Sequence, residues 1–123
     1  MQIPAQYNQL MPYLIIPDAG EFIPFMKTVF GAVEQMLVHR GEGLIMHGEL
    51  RIGNAVIMYA DATEQFTARP AGMFIYVEKV DDTYAKAIAA GAISTMPPAQ
   101  MDYGYSCGFK DPFGNDWWPV QSG

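Results

Sequence analysis

The sequence holds one cysteine, Cys107, among 123 residues. A lone thiol excludes an internal disulfide framework and a zinc cluster built on cysteines. Charge is also scarce. Charged residues make up 16% of the chain, and seven basic side chains face thirteen acidic ones, for a net charge of −6. A chain of that sign is repelled by phosphate backbones, so no nucleic-acid partner is expected. The acidic excess is spread along the chain, as solubility requires, and forms no tail. No run of about 18 apolar residues is present, so neither a membrane span nor a membrane partner is expected. The first residues, Met1-Gln2-Ile3-Pro4-Ala5-Gln6-Tyr7, lack the basic start and apolar stretch of a signal peptide. The location they predict is cytoplasmic.

What the chain does contain is apolar. Half of its residues are hydrophobic and 13% are aromatic. That content excludes intrinsic disorder, and the length suits one domain with a real core. For so small a chain the apolar share is generous. It predicts an apolar pocket, a buried subunit contact, or both.

Pro12 to Pro17 reads as a short strand. Asp18 and Glu21 have the spacing of a capping box, and the helix after them should stop at Gly31. Phe22, Phe25, Met26, Val29 and Phe30 form its apolar stripe. Pro24 fits only if the helix begins near residue 20 or 21, among the unpaired first-turn donors. Strands are predicted at 33–39, 44–50 and 55–60. A three-residue hairpin loop, Arg51-Ile52-Gly53, would join the last two and pair Leu50 with Asn54. Residues 61–72 form a polar connector.

The order then repeats. Met73 to Val77 is a strand. Asp81-Asp82-Thr83 should cap a second helix, with Tyr84, Ala87 and Ile88 inward and Gly91 as its stop. Strands follow at 92–96, 104–110 and 116–121, the last two joined by Asp111-Pro112-Phe113-Gly114-Asn115. Three pairs of landmarks keep nearly one spacing. Gly31-Ala32 and Gly91-Ala92 lie 60 residues apart, and Gly53-Asn54 and Gly114-Asn115 lie 61 apart. Tyr13-Leu14-Ile15 and Phe74-Ile75-Tyr76 are also 61 apart. The fold class is therefore α+β, a single domain over 1–123 made of two tandem βαβββ modules, about 11–61 and 72–121.

This repeat, the Phe30-Gly31-Ala32 helix end, His47-Gly48-Glu49-Leu50-Arg51-Ile52-Gly53 and the Asp111–Asn115 turn resemble the vicinal-oxygen-chelate superfamily. That group includes glyoxalases, bleomycin-resistance proteins and extradiol dioxygenases. The His-Gly-Glu-Leu-Arg-Ile-Gly stretch resembles its PhnB-like branch. The resemblance implies that each module curls a mixed four-stranded sheet into a cup. In metal-dependent members it implies one ligand each from the first, fourth, fifth and eighth strands. Carried over, those positions are Met11, Ile57, Gly72 and Trp118, none of them a donor suited to a hard divalent ion. Alternation from those positions turns Tyr13, Tyr59, Phe74, Tyr76 and Trp118 into the cup, as ligand-binding residues.

His47 and Glu49 are the candidate catalytic residues. They would face the cup with a three-residue hairpin loop and the outside with a two-residue one. The pair reads as an acid–base couple or as two polar groups satisfying each other. Asp61 or His39 would be the nearest additions to a metal set, though His39 reads as a solvated surface residue. Cys107 is expected to be buried and inert. Trp117 and Trp118 must point to opposite faces. Met26, Met36, Met46 and Met58 read as core filling, and Pro97 to Tyr105 as an ordered loop or a lid.

Two functions follow. One is a metal-free protein that holds a small apolar or aromatic molecule in an aromatic cup, with no cofactor. The other is a divalent-metal-dependent lyase, isomerase or dioxygenase using His47 and Glu49. A ubiquinone-type methyltransferase is excluded, because no glycine-rich turn opens a nucleotide-binding helix. Open sheet edges predict a homodimer.

Overall fold

The computed structural model describes residues 1–123. The chain forms two compact units. The first holds Met1–Lys27 and Gly31–Arg69, and the second holds Thr28–Phe30 and Pro70–Gly123.

In the first unit the strands are β1 (Tyr13–Ile16), β2 (Val33–His39), β3 (Ile45–Ile52) and β4 (Ala55–Asp61), with helix α1 (Ala19–Phe30) after β1. Their order in the sheet is β1-β4-β3-β2, with β1 parallel to β4 and the other pairs antiparallel. The second unit repeats this with β5 (Gly72–Val77), α2 (Val80–Ala89), β6 (Ile93–Met101), β7 (Gly104–Lys110) and β8 (Asp116–Gln121), in the order β5-β8-β7-β6. The α+β class and the mixed sheets match the expectation.

Each sheet buries one face against its helix. Leu14, Ile16, Leu50, Ile57 and Tyr59 are buried with Phe22 and Met26 of α1. In the second unit Cys107, Phe109 and Trp117 are buried, and the Phe30 ring lies 4.5 Å from that of Trp117. The apolar stripe read for α1 is the buried one. Gly31 ends the helix at φ 67°, where its N–H meets the Lys27 carbonyl. Glycine takes that left-handed conformation without a Cβ penalty.

Several expectations are corrected. Asp18 makes no side-chain cap. The Ala19 N–H instead donates to Asp61 Oδ1 at 2.9 Å, so a carboxylate from β4 does the capping. The helix starts at Ala19, which puts Pro24 beyond the first turn. It is tolerated because Gly20 and Pro24 are both exposed, and the carbonyl that loses its donor can turn to water. At α2, Asp81 accepts from Tyr105 Oη at 2.6 Å, and the Val80 N–H donates to Gln121 Oε1. Ala87 is buried as expected, but Ile88, expected inward, is exposed, and Thr83 is buried. Met36 and Met46 are exposed, so only Met26 of the methionine set is deep core. The Pro97-Pro98 stretch lies inside β6 and is no lid. β6 is an edge strand with irregular register on both sides of Met96, which is where a sheet tolerates proline.

Candidate functional site

The first hairpin closes with two residues. Ile52 pairs with Ala55, and Gly53 takes φ 55° at the first turn position. The expected three-residue loop is therefore corrected, and with it the facing of β4. Tyr59 pairs with both Leu14 and Gly48, and its ring meets Phe22 edge-on at 5.4 Å. It is 0% exposed and cannot line a cup. Gly48 is glycine for a reason, since a Cβ there would overlap the Tyr59 ring. Burial and the Glu34 charge push the Tyr59 hydroxyl up to about 12. Ile57 also looks toward the helix, so the outward position on β4 is Met58, opposite Tyr13 and Glu49.

His47 and Glu49 lie on the open face, with Tyr13. They do so with a two-residue loop because Met58, not Ile57, is the outward residue of β4 and pairs with Glu49. The three side chains form a chain of hydrogen bonds. Tyr13 Oη lies 3.0 Å from His47 Nδ1, and His47 Nε2 lies 2.7 Å from Glu49 Oε2. Glu49 is 1% exposed. A buried carboxylate is costly unless its oxygens are met. Here Tyr7 Oη donates to both oxygens, at 3.0 and 2.9 Å, and Gln35 Nε2 donates to Oε1 at 3.0 Å. Burial raises the Glu49 pKa, but the bonds from Gln35, His47 and Tyr7 and the His47 charge together outweigh it. The carboxyl ends below its usual range. The same contact raises the Tyr7 hydroxyl, and burial with the Glu49 charge raises that of Tyr13.

Gln35, Arg51 and Tyr7 went unseen in the sequence. Gln35 sits at a register shift between Glu34 and Met36, and such a bulge re-aims a side chain. Arg51 Nη2 reaches Gln35 Oε1 at 2.9 Å and the Gln6 carbonyl at 2.6 Å. The segment before β1 thus lies across this face. Only its residue types, tyrosine and glutamine in a polar stretch, hinted at such a contact.

Asp61, considered as a metal ligand, is committed elsewhere. Oδ1 takes the Ala19 N–H and Oδ2 takes the Ile45 N–H at 2.7 Å. His39 is exposed at a strand end. No group of three or more His, Cys, Asp or Glu side chains converges. The donor set that the resemblance implies for a divalent ion does not fit these residues. Met11, Ile57, Gly72 and Trp118 bring no side-chain oxygen or nitrogen lone pair, nor does Met58, which takes the outward position expected of Ile57, and Glu49 already accepts four contacts.

A cavity of about 510 Å³ adjoins Tyr13 in the first unit. Ile15, Ile45, Met46, Ala60 and Phe66 give it an apolar wall, with Arg40, Asp61, Thr63 and Gln65 at its polar positions.

The open face of the second unit is aromatic. Phe74, Tyr76 and Trp118 are 55%, 68% and 42% exposed, and Phe74 pairs with Trp118 across the ladder. The Trp118 indole lies over Gly72, where a Cβ would come within 2.8 Å. Trp117 faces the other way, its Nε1 donating to Asp111 Oδ2 at 2.8 Å. Asp111 also accepts from the backbone of Phe113 and Asn115 and from Asn115 Nδ2. The Asp-Pro-x-Gly-Asn turn is therefore a structural knot. Burial and the Asp81 charge push the Cys107 thiol up to about 11, so it is unreactive at neutral pH.

The profile of the Glyoxalase/Bleomycin resistance protein/Dioxygenase superfamily matches residues 6–118. The chain belongs to this superfamily. An uncharacterized protein of Mycobacterium bovis is 29% identical over 120 residues, covering 88% of this chain and 79% of the relative. The PhnB protein from Bacillus cereus shares the fold, with a TM-score of 0.76, 18% identity and coverage of 94% of this chain and 100% of that one. TnmS3, an antibiotic binding protein from Streptomyces sp. CB03234, superposes with a TM-score of 0.72 at 16% identity, covering 99% and 100%. No helix of this superfamily member is long and apolar enough to cross a membrane.

Proposed function

We propose that this protein binds a small, flat, apolar or aromatic molecule without a metal or other cofactor. The observation that carries the reading is the cavity of about 510 Å³ beside Tyr13, whose wall is mostly apolar. That volume suits a drug-sized ligand, and burial of the ligand's apolar surface supplies the driving force. Tyr13 and Phe66 offer rings for stacking. The exposed Phe74, Tyr76 and Trp118 give the second module a stacking surface of its own. The fold shared with an antibiotic binding protein supports the ligand class by analogy.

A panel of flat aromatic antibiotics tests the reading. At least one class should raise the melting temperature of the protein, and Phe66→Ala should abolish the rise. A ligand at a hundred times its Kd adds about 2.7 kcal/mol, a shift of several degrees for a domain of this size. No shift with any aromatic ligand removes the proposal.

The Tyr13–His47–Glu49 chain favours a second reading, a divalent-metal-dependent lyase, isomerase or dioxygenase using His47 and Glu49, which would have to exchange their present hydrogen bonds for the ion. A stoichiometric metal in protein purified without an affinity tag would replace the first reading with this one. We also propose a homodimer. Val33 on edge strand β2 and Ile93 on edge strand β6 are 63% and 69% exposed, surface that a second copy would cover. Light scattering should give twice the chain mass of 13.6 kDa.

A further inference from the structure

We propose that the ligand of the cavity beside Tyr13 carries a carboxylate or similar oxyanion, and that Arg40 selects it. This rests on the proposed function, small-molecule binding at that cavity, and names the chemistry of its ligand. Arg40 is the one cationic residue in the cavity wall. Arg40 is exposed, and its guanidinium, like the cationic groups of Arg69, Lys79 and Lys86, has no ion-pair or hydrogen-bond partner in the chain; of these four it is the one at the cavity. A guanidinium stays charged at any relevant pH and offers a fork of donors that fits a carboxylate.

The root of this side chain is fixed at the rim. The Arg40 N–H donates to the Leu44 carbonyl at 2.9 Å, closing a tight loop around Gly41–Gly43. The other charge in the wall is Asp61, and it makes no pair with Arg40. Both of its oxygens are taken by the Ala19 and Ile45 amides, and the positive end of α1 answers its charge. The cavity therefore joins an apolar wall holding two rings, Tyr13 and Phe66, to one exposed cation that has no partner in the chain. A ligand that satisfies both is an aromatic acid, with its ring along the wall and its acid group on Arg40.

Calorimetric titration with 1-naphthoate and its neutral isostere 1-naphthamide tests this. The native protein should bind the acid about tenfold more tightly than the amide, the gain of one charge-assisted contact. Arg40→Gln should erase that preference while still binding naphthamide, and a native circular dichroism spectrum should show that the variant is folded. Arg40→Lys should keep part of the preference, and Phe66→Ala should weaken both ligands. If naphthamide binds as well as naphthoate, or Arg40→Gln keeps the preference, the role of Arg40 is overturned while aromatic binding stands. If neither probe binds, the aromatic-acid proposal falls, and the binding reading falls with it only if the antibiotic panel also gives no shift.

Discussion

The two modules share one topology, yet their open faces carry different chemistry. The first presents a hydrogen-bonded polar chain, Tyr13–His47–Glu49 with Gln35, Arg51 and Tyr7 around it. The second presents Phe74, Tyr76 and Trp118 with their rings open to solvent. The hairpins differ as well. One closes in two residues and the other in five, so equivalent ladders pair Tyr13 with Met58 but Phe74 with Trp118. The sequence offset is 61 residues on the lead strand and 60 on the last. A duplicated fold thus tolerates a one-residue slip, and that slip decides which side chains face outward.

The sharpest way to break the comparison is to cut the knot in the longer hairpin. Asp111→Ala leaves the Trp117 indole N–H, the Asn115 amide and two backbone N–H groups without their acceptor. The expected loss is about 3–5 kcal/mol in denaturant unfolding. Asn54→Ala, in the shorter hairpin, should cost under about 0.5 kcal/mol, because only the Asn54 backbone carbonyl is used there.

The glycines beneath the two aromatic rings come next. Gly48→Ala drives a methyl into Tyr59, which is fully buried, and should cost about 1–3 kcal/mol. Gly72→Ala meets Trp118 instead, whose indole can swing into solvent. Its cost should be smaller and its mark a change in tryptophan emission.

The smallest effect is on acid stability. The Glu49 carboxyl is held below its ordinary value of 4.5, so its contribution is present above that pH. It is lost as the pH falls through the lower folded value. The melting temperature of the native protein should drop across that window, and Glu49→Gln should flatten the drop. An unchanged profile in the variant would show that Glu49 does not set it.

The repeat, the helix ends and the strand count were legible because glycine at Gly31, Gly53, Gly91 and Gly114 marks positive-φ positions directly. Hairpin length was not. Where the second module has Asp111, the first has Leu50, which carries no carboxylate to tie a longer loop. The Gly-Asn pair alone fits both lengths. The neighbours of Glu49 were hidden for two reasons. A bulge at Gln35 breaks the alternation from which facing is read, and Tyr7 lies outside both modules. The aromatic positions on β5 and β8 kept regular alternation, and Phe74, Tyr76 and Trp118 lie on one face as the pattern required.

Asp61 has a kinetic consequence. The amides of Ala19 and Ile45 share its carboxylate, although they begin a helix and a strand far apart in the chain. Neither hydrogen can exchange with solvent water until that carboxylate lets go. Their exchange rates should therefore track each other, and α1 and β3 should open as one unit.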